Sequence, residues 1–139
     1  MKTKYLYMLL LTPLFLFADL DIEKVNEALV SIKSDKKLSY FSNDKKFLTK
    51  LKIPKTTSIK NADIILFPKE KNSKKIVIVN SYSELKKNKK SIGAIYIKKG
   101  RTQIMFVDER LKKNGLKIVN KKYEINECHL NPICFLNLK

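Results

Sequence analysis

The residues of this chain most able to do chemistry lie together near its C-terminus, in the run Cys128-His129-Leu130-Asn131-Pro132-Ile133-Cys134. This run contains the only two cysteines and the only histidine of the 139 residues. In an exported protein, an even number of cysteines favours a Cys128–Cys134 disulfide that closes a small loop. Free thiols and a metal site are the alternatives, but the metal site lacks a fourth ligand, and adjacent Cys and His side chains rarely reach one ion.

Two polar residues lie at the end of the strand predicted over 74–80, and they are the candidate ligand contacts. In open α/β sheets, ligands bind beyond the carboxyl ends of the strands, which is where Asn80 and Ser81 are expected. The alternative is that Ser81 only caps the next helix, because Ser81 and Glu84 have the spacing of a capping box.

A basic group is expected at the tip of a hairpin, where Lys98, Lys99 and Arg101 surround Gly100. Together with Arg110 at the start of the following helix, these residues form the candidate contact surface for a partner protein. Arg101 and Arg110 are the only arginines of the chain, and arginine suits a protein interface better than lysine does. The alternative is a solvated turn and an ordinary helix-surface pair of Arg110 with Asp108 or Glu109.

The motifs of familiar catalytic sites are absent from the sequence. It has no nucleophile elbow, no paired-histidine metal motif and no phosphate-binding loop, and no pair of carboxylates falls in a predicted cleft. We therefore predict a protein that acts through contacts, with no enzymatic activity, no metal and no cofactor.

The first 18 residues have the order of an export signal. Lys2 and Lys4 precede an apolar run over 5–17, and the small residue Ala18 stands directly before Asp19. The run is short for a transmembrane helix. The sequence thus predicts a periplasmic protein cleaved after Ala18, with a retained membrane anchor as the alternative.

The predicted mature chain is strongly basic. The signal contains two of the 30 basic residues and none of the 13 acidic ones, so cleavage lowers the formal net charge from +17 to +15. Such a charge raises nucleic acid or anionic lipid as partners. However, the lysines are spread along every segment, and aromatic–basic motifs for base stacking are absent. We therefore predict no nucleic-acid function.

Short apolar runs set the predicted fold. Segments 62–67, 74–80 and 92–97 are β-branched and do not alternate with polar residues, which is typical of strands covered on both faces. A capped helix separates the last two, and 92–97 and 102–107 flank the hairpin turn. The prediction is an α/β fold, a small three-layer sandwich with a mostly parallel central sheet and a C-terminal hairpin. Its parts are a signal peptide (1–18), one domain (19–127) and a disulfide-containing tail (128–139).

The same stretch resembles the C-terminal half of the YfiR-like family of exported bacterial proteins. The matching residues are Ile76 to Val79, Ile92-Gly93, Phe106 and Gly115-Leu116-Lys117-Ile118, within about 55–60 residues. The resemblance implies a periplasmic, non-enzymatic α/β domain that restrains a membrane-bound signalling protein, such as a diguanylate cyclase. A second hypothesis is a small-molecule-binding domain akin to half of a periplasmic solute receptor.

Overall fold

A computed structural model describes residues 19–69 and 74–131, and the predicted signal peptide lies outside these ranges. Five α-helices are present in the described ranges: α1 (Ile22–Val30), α2 (Lys45–Lys50), α3 (Tyr82–Lys87), α4 (Asp108–Lys113) and α5 (Glu127–Leu130). The strands are β1 (Ile32–Lys33), β2 (Tyr40–Ser42), β3 (Ile64–Leu66), β4 (Ile76–Val79), β5 (Ser91–Lys98), β6 (Arg101–Val107), β7 (Lys117–Ile118) and β8 (Glu124–Ile125). Two 3-10 helices span Ile59–Asn61 and Lys121–Tyr123.

Six strands form the main sheet, in the order β2-β3-β4-β5-β6-β8. Every neighbouring pair is parallel except the β5–β6 hairpin. We call the edge of the sheet where β2 to β5 end the carboxyl edge, and the edge where they begin the amino edge. Because β6 is antiparallel to β5, it starts at the carboxyl edge and ends at the amino edge.

Helices cover both faces of this sheet, and each face has its own apolar core. Ile64, Leu66 and Ile78 pack on one side with residues of α1, α2 and α4. Ile65 and Val77 point to the other side, where α3 and α5 pack. The alternation explains the continuous apolar runs, since both faces of each strand are buried. The predicted α/β sandwich with a mostly parallel sheet is confirmed.

The hairpin between β5 and β6 has the predicted two-residue turn. Lys99 and Gly100 both have positive φ, 51° and 76°, as a type I′ turn requires. Further along the hairpin, Gly93 lies opposite Phe106. A Cβ on Gly93 would lie 2.5 Å from the Met105 carbonyl oxygen and would overlap the Phe106 ring, so the close packing of this pair requires glycine.

Side-chain caps fix where three helices begin. Asp21, Asp44 and Ser81 accept hydrogen bonds from the backbone N–H three residues later, at 3.2, 3.0 and 3.1 Å. The helix α4 begins without a side-chain cap, because Asp108 is its first residue and Val107 occupies the cap position. Across the described ranges, no helix has the length and apolar character that a membrane crossing would need.

Candidate functional site at the carboxyl edge of the sheet

The hairpin extends beyond its neighbour at the carboxyl edge. The pairing of β5 with β4 ends at Ala94, which lies opposite Val79. From Ile95 to Lys98, β5 pairs only with β6. In the part of the chain that the structure describes, the β4 side of this segment therefore has no strand beside it.

The hairpin geometry shows which backbone groups face this gap. Lys98 and Arg101 close the two-residue turn, and such a closing pair exchanges both hydrogen bonds. Alternation then places the N–H and C=O of Tyr96 toward β6 and those of Ile97 toward the open side. Ile97 thus presents a backbone donor and a backbone acceptor where an added strand would bind them.

A cleft of ≈ 460 Å³ adjoins this open segment. On one side of it, the rings of Phe47 and Phe67 lie with their centroids 5.3 Å apart. Tyr82 and Tyr96 line the other side. Burial raises the pKa of Tyr96, and the nearby phenol of Tyr82 raises it further, so Tyr96 stays neutral at physiological pH.

Phe67 has a strained backbone at the mouth of the cleft. Its φ is 54°, a left-handed conformation that is rare for a bulky residue and costs on the order of 1–3 kcal/mol. The backbone N–H of Phe67 donates to the Ile78 carbonyl over 2.8 Å, so the residue is held at the end of β3. Strain of this kind concentrates at ligand clamps and active sites.

The two predicted ligand contacts, Asn80 and Ser81, both line the cleft. Asn80 is exposed, and its side-chain amide has no hydrogen-bond partner among the described residues. Ser81 caps α3 by accepting from the Glu84 N–H, which is the structural role that the capping-box spacing indicated. Asn80 is therefore the more available of the two for a ligand.

The basic hairpin tip continues directly from the open segment. Lys98, Lys99 and Arg101 are exposed, and with Gln103 they line a shallow recess of ≈ 510 Å³. Next along β6, Thr102 is covered by the start of α1: its hydroxyl accepts from the Asp21 N–H and its carbonyl from Lys24 Nζ, both over 2.8 Å. The side of β6 that faces away from β5 is therefore covered at Thr102. Its cross-strand neighbour Ile97 is open on the side of β5 that faces away from β6.

Arg110 does not belong to this surface, so its assignment as a partner contact is wrong. It lies at the amino edge, beyond the far end of β6, and it is only 4% exposed. Its Nη1 donates to the carbonyl oxygens of Leu85, Asn88 and Ser91 over 2.8, 3.1 and 2.8 Å. Its Nε and Nη2 donate to the carboxylate of Glu127 over 2.5 and 3.3 Å.

These bonds give Arg110 a structural role. The backbone carbonyls at the end of α3 and the start of β5 need hydrogen-bond donors. A guanidinium has five N–H groups, so one arginine side chain can donate to several carbonyls. Glu127 neutralises the buried charge of Arg110, and this ion pair links α5 to α4. A lysine could not make this set of bonds, because it lacks the planar fork.

The predicted C-terminal tail begins within the fold. Cys128 and His129 lie in α5, Leu130 is buried in the core of the α3 face, and Tyr82 Oη donates to the His129 carbonyl over 3.3 Å. Cys134 lies outside the described residues, so the Cys128–Cys134 disulfide stays a prediction. Among the residues that the structure describes, no group of three His, Cys, Asp or Glu side chains could hold a metal ion.

Comparison with known proteins yields no relative: no family model, curated protein or solved structure matches the chain. The resemblance to the YfiR-like family therefore stays a prediction.

Proposed function

We propose that this protein is an interaction module that binds an extended segment of a partner protein as an additional strand along β5. The observation that carries the proposal is the extension of β5 past β4, which leaves the backbone of Ile97 open beside an aromatic cleft. Addition of a strand to an open sheet edge gives affinity through main-chain hydrogen bonds and specificity through side-chain pockets.

The surroundings of the open segment specify the chemistry of the bound strand. Apolar side chains of the segment would enter the cleft beside Phe47 and Tyr82. The tip residues Lys98, Lys99 and Arg101 favour acidic residues where the segment passes the hairpin. The expected ligand is therefore an extended peptide in which apolar and acidic residues alternate.

The setting of this function is proposed from the sequence. The predicted N-terminal signal supports an exported, periplasmic protein, and the resemblance supports a membrane-bound signalling protein as the partner. Acting by strand addition, the protein would hold a periplasmic segment of that partner and would need no catalytic group. Crosslinking in an envelope fraction and capture of the protein would identify the partner.

Selection of peptides tests the binding mode directly. The purified protein is used to select from a library of random linear peptides, and the enriched peptides are assayed against two variants. Ile97→Pro deletes the outward N–H and leaves the bonds between Tyr96 and β6 in place. Ile97→Val keeps the N–H and shortens the side chain, so it is the matched control.

We expect Ile97→Pro to weaken binding about tenfold or more, because each lost backbone hydrogen bond is worth about 1 kcal/mol and the strand would also be displaced. Ile97→Val should bind within about threefold of the wild type. Equal binding to the proline variant, with its unfolding midpoint unchanged, would show that the peptides do not add to β5.

A small-molecule ligand in the same cleft is the second candidate function. Its volume of ≈ 460 Å³ lies within the range of ligand sites, and Asn80 offers an amide with no partner among the described residues. A thermal-shift screen of polar metabolites separates the two functions. A small molecule should lose its effect in Asn80→Ala and keep it in Ile97→Pro, whereas a peptide strand should show the reverse.

A further inference from the structure

A second cleft lies away from the carboxyl-edge cleft and shares none of its lining residues. We call it the lysine-rimmed cleft. It has a volume of ≈ 320 Å³ and lies between the end of α1, the segment around β1, the start of β2 and the chain that follows α2. Its floor is apolar, since Leu29, Ile32, Leu38 and Ile53 are all at most 9% exposed.

Positive charge surrounds this apolar floor. Lys33, Lys36, Lys37 and Lys52 line the cleft, all four are exposed, and none of the described acidic residues lines it. Lys36 pairs with Asp63 over 2.8 Å. Within the described ranges, the other three make no ion pair with a carboxylate, so their charges are available to a bound anion.

The pairing of β1 with β7 independently favours binding of an anion near Lys33. Lys33 lies directly opposite Lys117 in this antiparallel pair. Like charges in directly opposed positions destabilise a strand pair. An anion bound beside Lys33 would relieve that repulsion.

The apolar floor reaches the surface at one lip of the cleft. Val30, the last residue of α1, lines the cleft and is 48% exposed, which is unusual for a large apolar side chain in this protein. Val119 is 62% exposed, and its backbone N–H donates to the Ser31 carbonyl, which places it beside the end of α1. One exposed apolar side chain therefore lies at the lip of the cleft, and a second lies beside the end of α1.

We propose that the lysine-rimmed cleft binds a single-chain anionic amphiphile of the fatty-acid type. Its carboxylate pairs with Lys33, Lys37 and Lys52, and its alkyl chain lies on the floor and over Val30. The apolar floor favours an alkyl chain, and the lysine rim favours a carboxylate. An inorganic anion would leave the apolar floor unused, and a neutral alcohol would leave the lysines unpaired.

The first test is calorimetric titration of the protein with decanoate, hexanoate and decanol, all below the concentrations at which they aggregate. Decanoate should bind more tightly than the other two. The triple variant Lys33→Gln/Lys37→Gln/Lys52→Gln should bind decanoate about tenfold more weakly, as expected for three exposed charge pairs. The control Lys87→Gln/Lys89→Gln/Lys113→Gln removes the same charge elsewhere and should stay within about twofold.

The second test concerns the apolar half. Val30→Ser should weaken decanoate binding about threefold to fivefold through lost apolar contact. Ile59→Ser is a matched control, because Ile59 is 47% exposed and lies outside the cleft. Equal losses in both lysine triples, or in both serine variants, would overturn the proposal. Binding to vesicles of anionic phospholipid without binding to monomeric decanoate would also overturn it and would indicate docking on a membrane surface.

Discussion

At the amino edge, the guanidinium of Arg110 in α4 is buried and bonds to three backbone carbonyls and one carboxylate, whereas Arg101, which begins β6 at the carboxyl edge, is exposed. The amino edge also holds Asp63, which accepts hydrogen bonds from the N–H and hydroxyl of Ser39 and from Lys36. At the carboxyl edge, Asn80 and Ile97 have polar groups without such partners in the described chain. Polar groups at the amino edge are therefore used within the fold, whereas some of those at the carboxyl edge are left exposed.

Changes at the two arginines should separate these roles most strongly. Arg110→Ala leaves Glu127 and three carbonyls unpaired, so we expect a loss of about 3–5 kcal/mol in the free energy of unfolding. Arg101→Ala should change it by less than about 0.5 kcal/mol. Urea denaturation of both variants measures this, and similar losses in the two would remove the distinction between the edges.

The partner of Arg110 provides a second, smaller effect. Glu127→Gln removes the negative charge that neutralises the guanidinium but keeps a hydrogen-bonding side chain of the same size. We expect a loss of about 1–2 kcal/mol, because hydrogen bonds between charged groups are stronger than neutral ones and Glu127 is partly exposed. In an Arg110→Ala background, the same substitution should have little further effect. Additive losses in a double-mutant cycle would show that the pair does not act as a unit.

Asp63 should make the stability of the amino edge depend on pH. Burial acts to raise its pKa, but the hydrogen bonds from Lys36 and Ser39 outweigh burial and lower it. A carboxyl whose pKa is lower in the folded than in the unfolded state stabilises the fold at neutral pH, and this contribution disappears as the pH falls through the folded pKa.

Asp63→Asn should therefore cost about 1 kcal/mol at pH 7, and its unfolding midpoint should approach that of the wild type in acid. Asp35→Asn is the control, since Asp35 is exposed and has no ion pair among the described residues. A difference between wild type and Asp63→Asn that stays constant from neutral to acid pH would contradict the assigned role.

The smallest effect is expected at Tyr123, a buried residue near the end of β6. Its hydroxyl is shielded from water and makes no well-formed hydrogen bond within the described residues, although Glu27 and Lys122 lie near it. Tyr123→Phe removes that unpaired group and keeps the ring, so the unfolding midpoint should stay the same or rise slightly. A clear loss of stability, measured by thermal unfolding, would show that the hydroxyl has a partner in solution.

The sequence predicted the main strands well because their signal is local. Runs such as 76–79 and 92–97 are apolar on both faces, and the hairpin turn requires Gly100. The two-residue strands β1, β7 and β8 carry too little pattern to be recognised. Their pairing depends on contacts between distant parts of the chain, such as Ile32 with Ile118.

Part of the candidate site could also be predicted, because it lies next to a strand with a local sequence signal. Asn80 and Ser81 follow a recognisable strand, so their position at the carboxyl edge could be inferred. The burial of Arg110 could not be inferred, because its partners come from α3, β5 and α5. No local sequence pattern indicates that these elements meet. The presence of only two arginines among 30 basic residues was the available signal, and it fits a buried, multiply bonded site as well as an interface. The open side of Ile97 was missed, although the run over 92–97 is visibly longer than its neighbour over 76–79.

Amide hydrogen exchange at neighbouring residues of β5 tests the central claim without a partner. We expect the Tyr96 N–H, bonded to β6, to exchange slowly in the free protein and the Ile97 N–H to exchange rapidly. A selected peptide should then slow exchange at Ile97 and leave Tyr96 little changed. Protection of Ile97 equal to that of Tyr96 in the free protein would contradict strand addition at β5, because it would show that this edge is already paired.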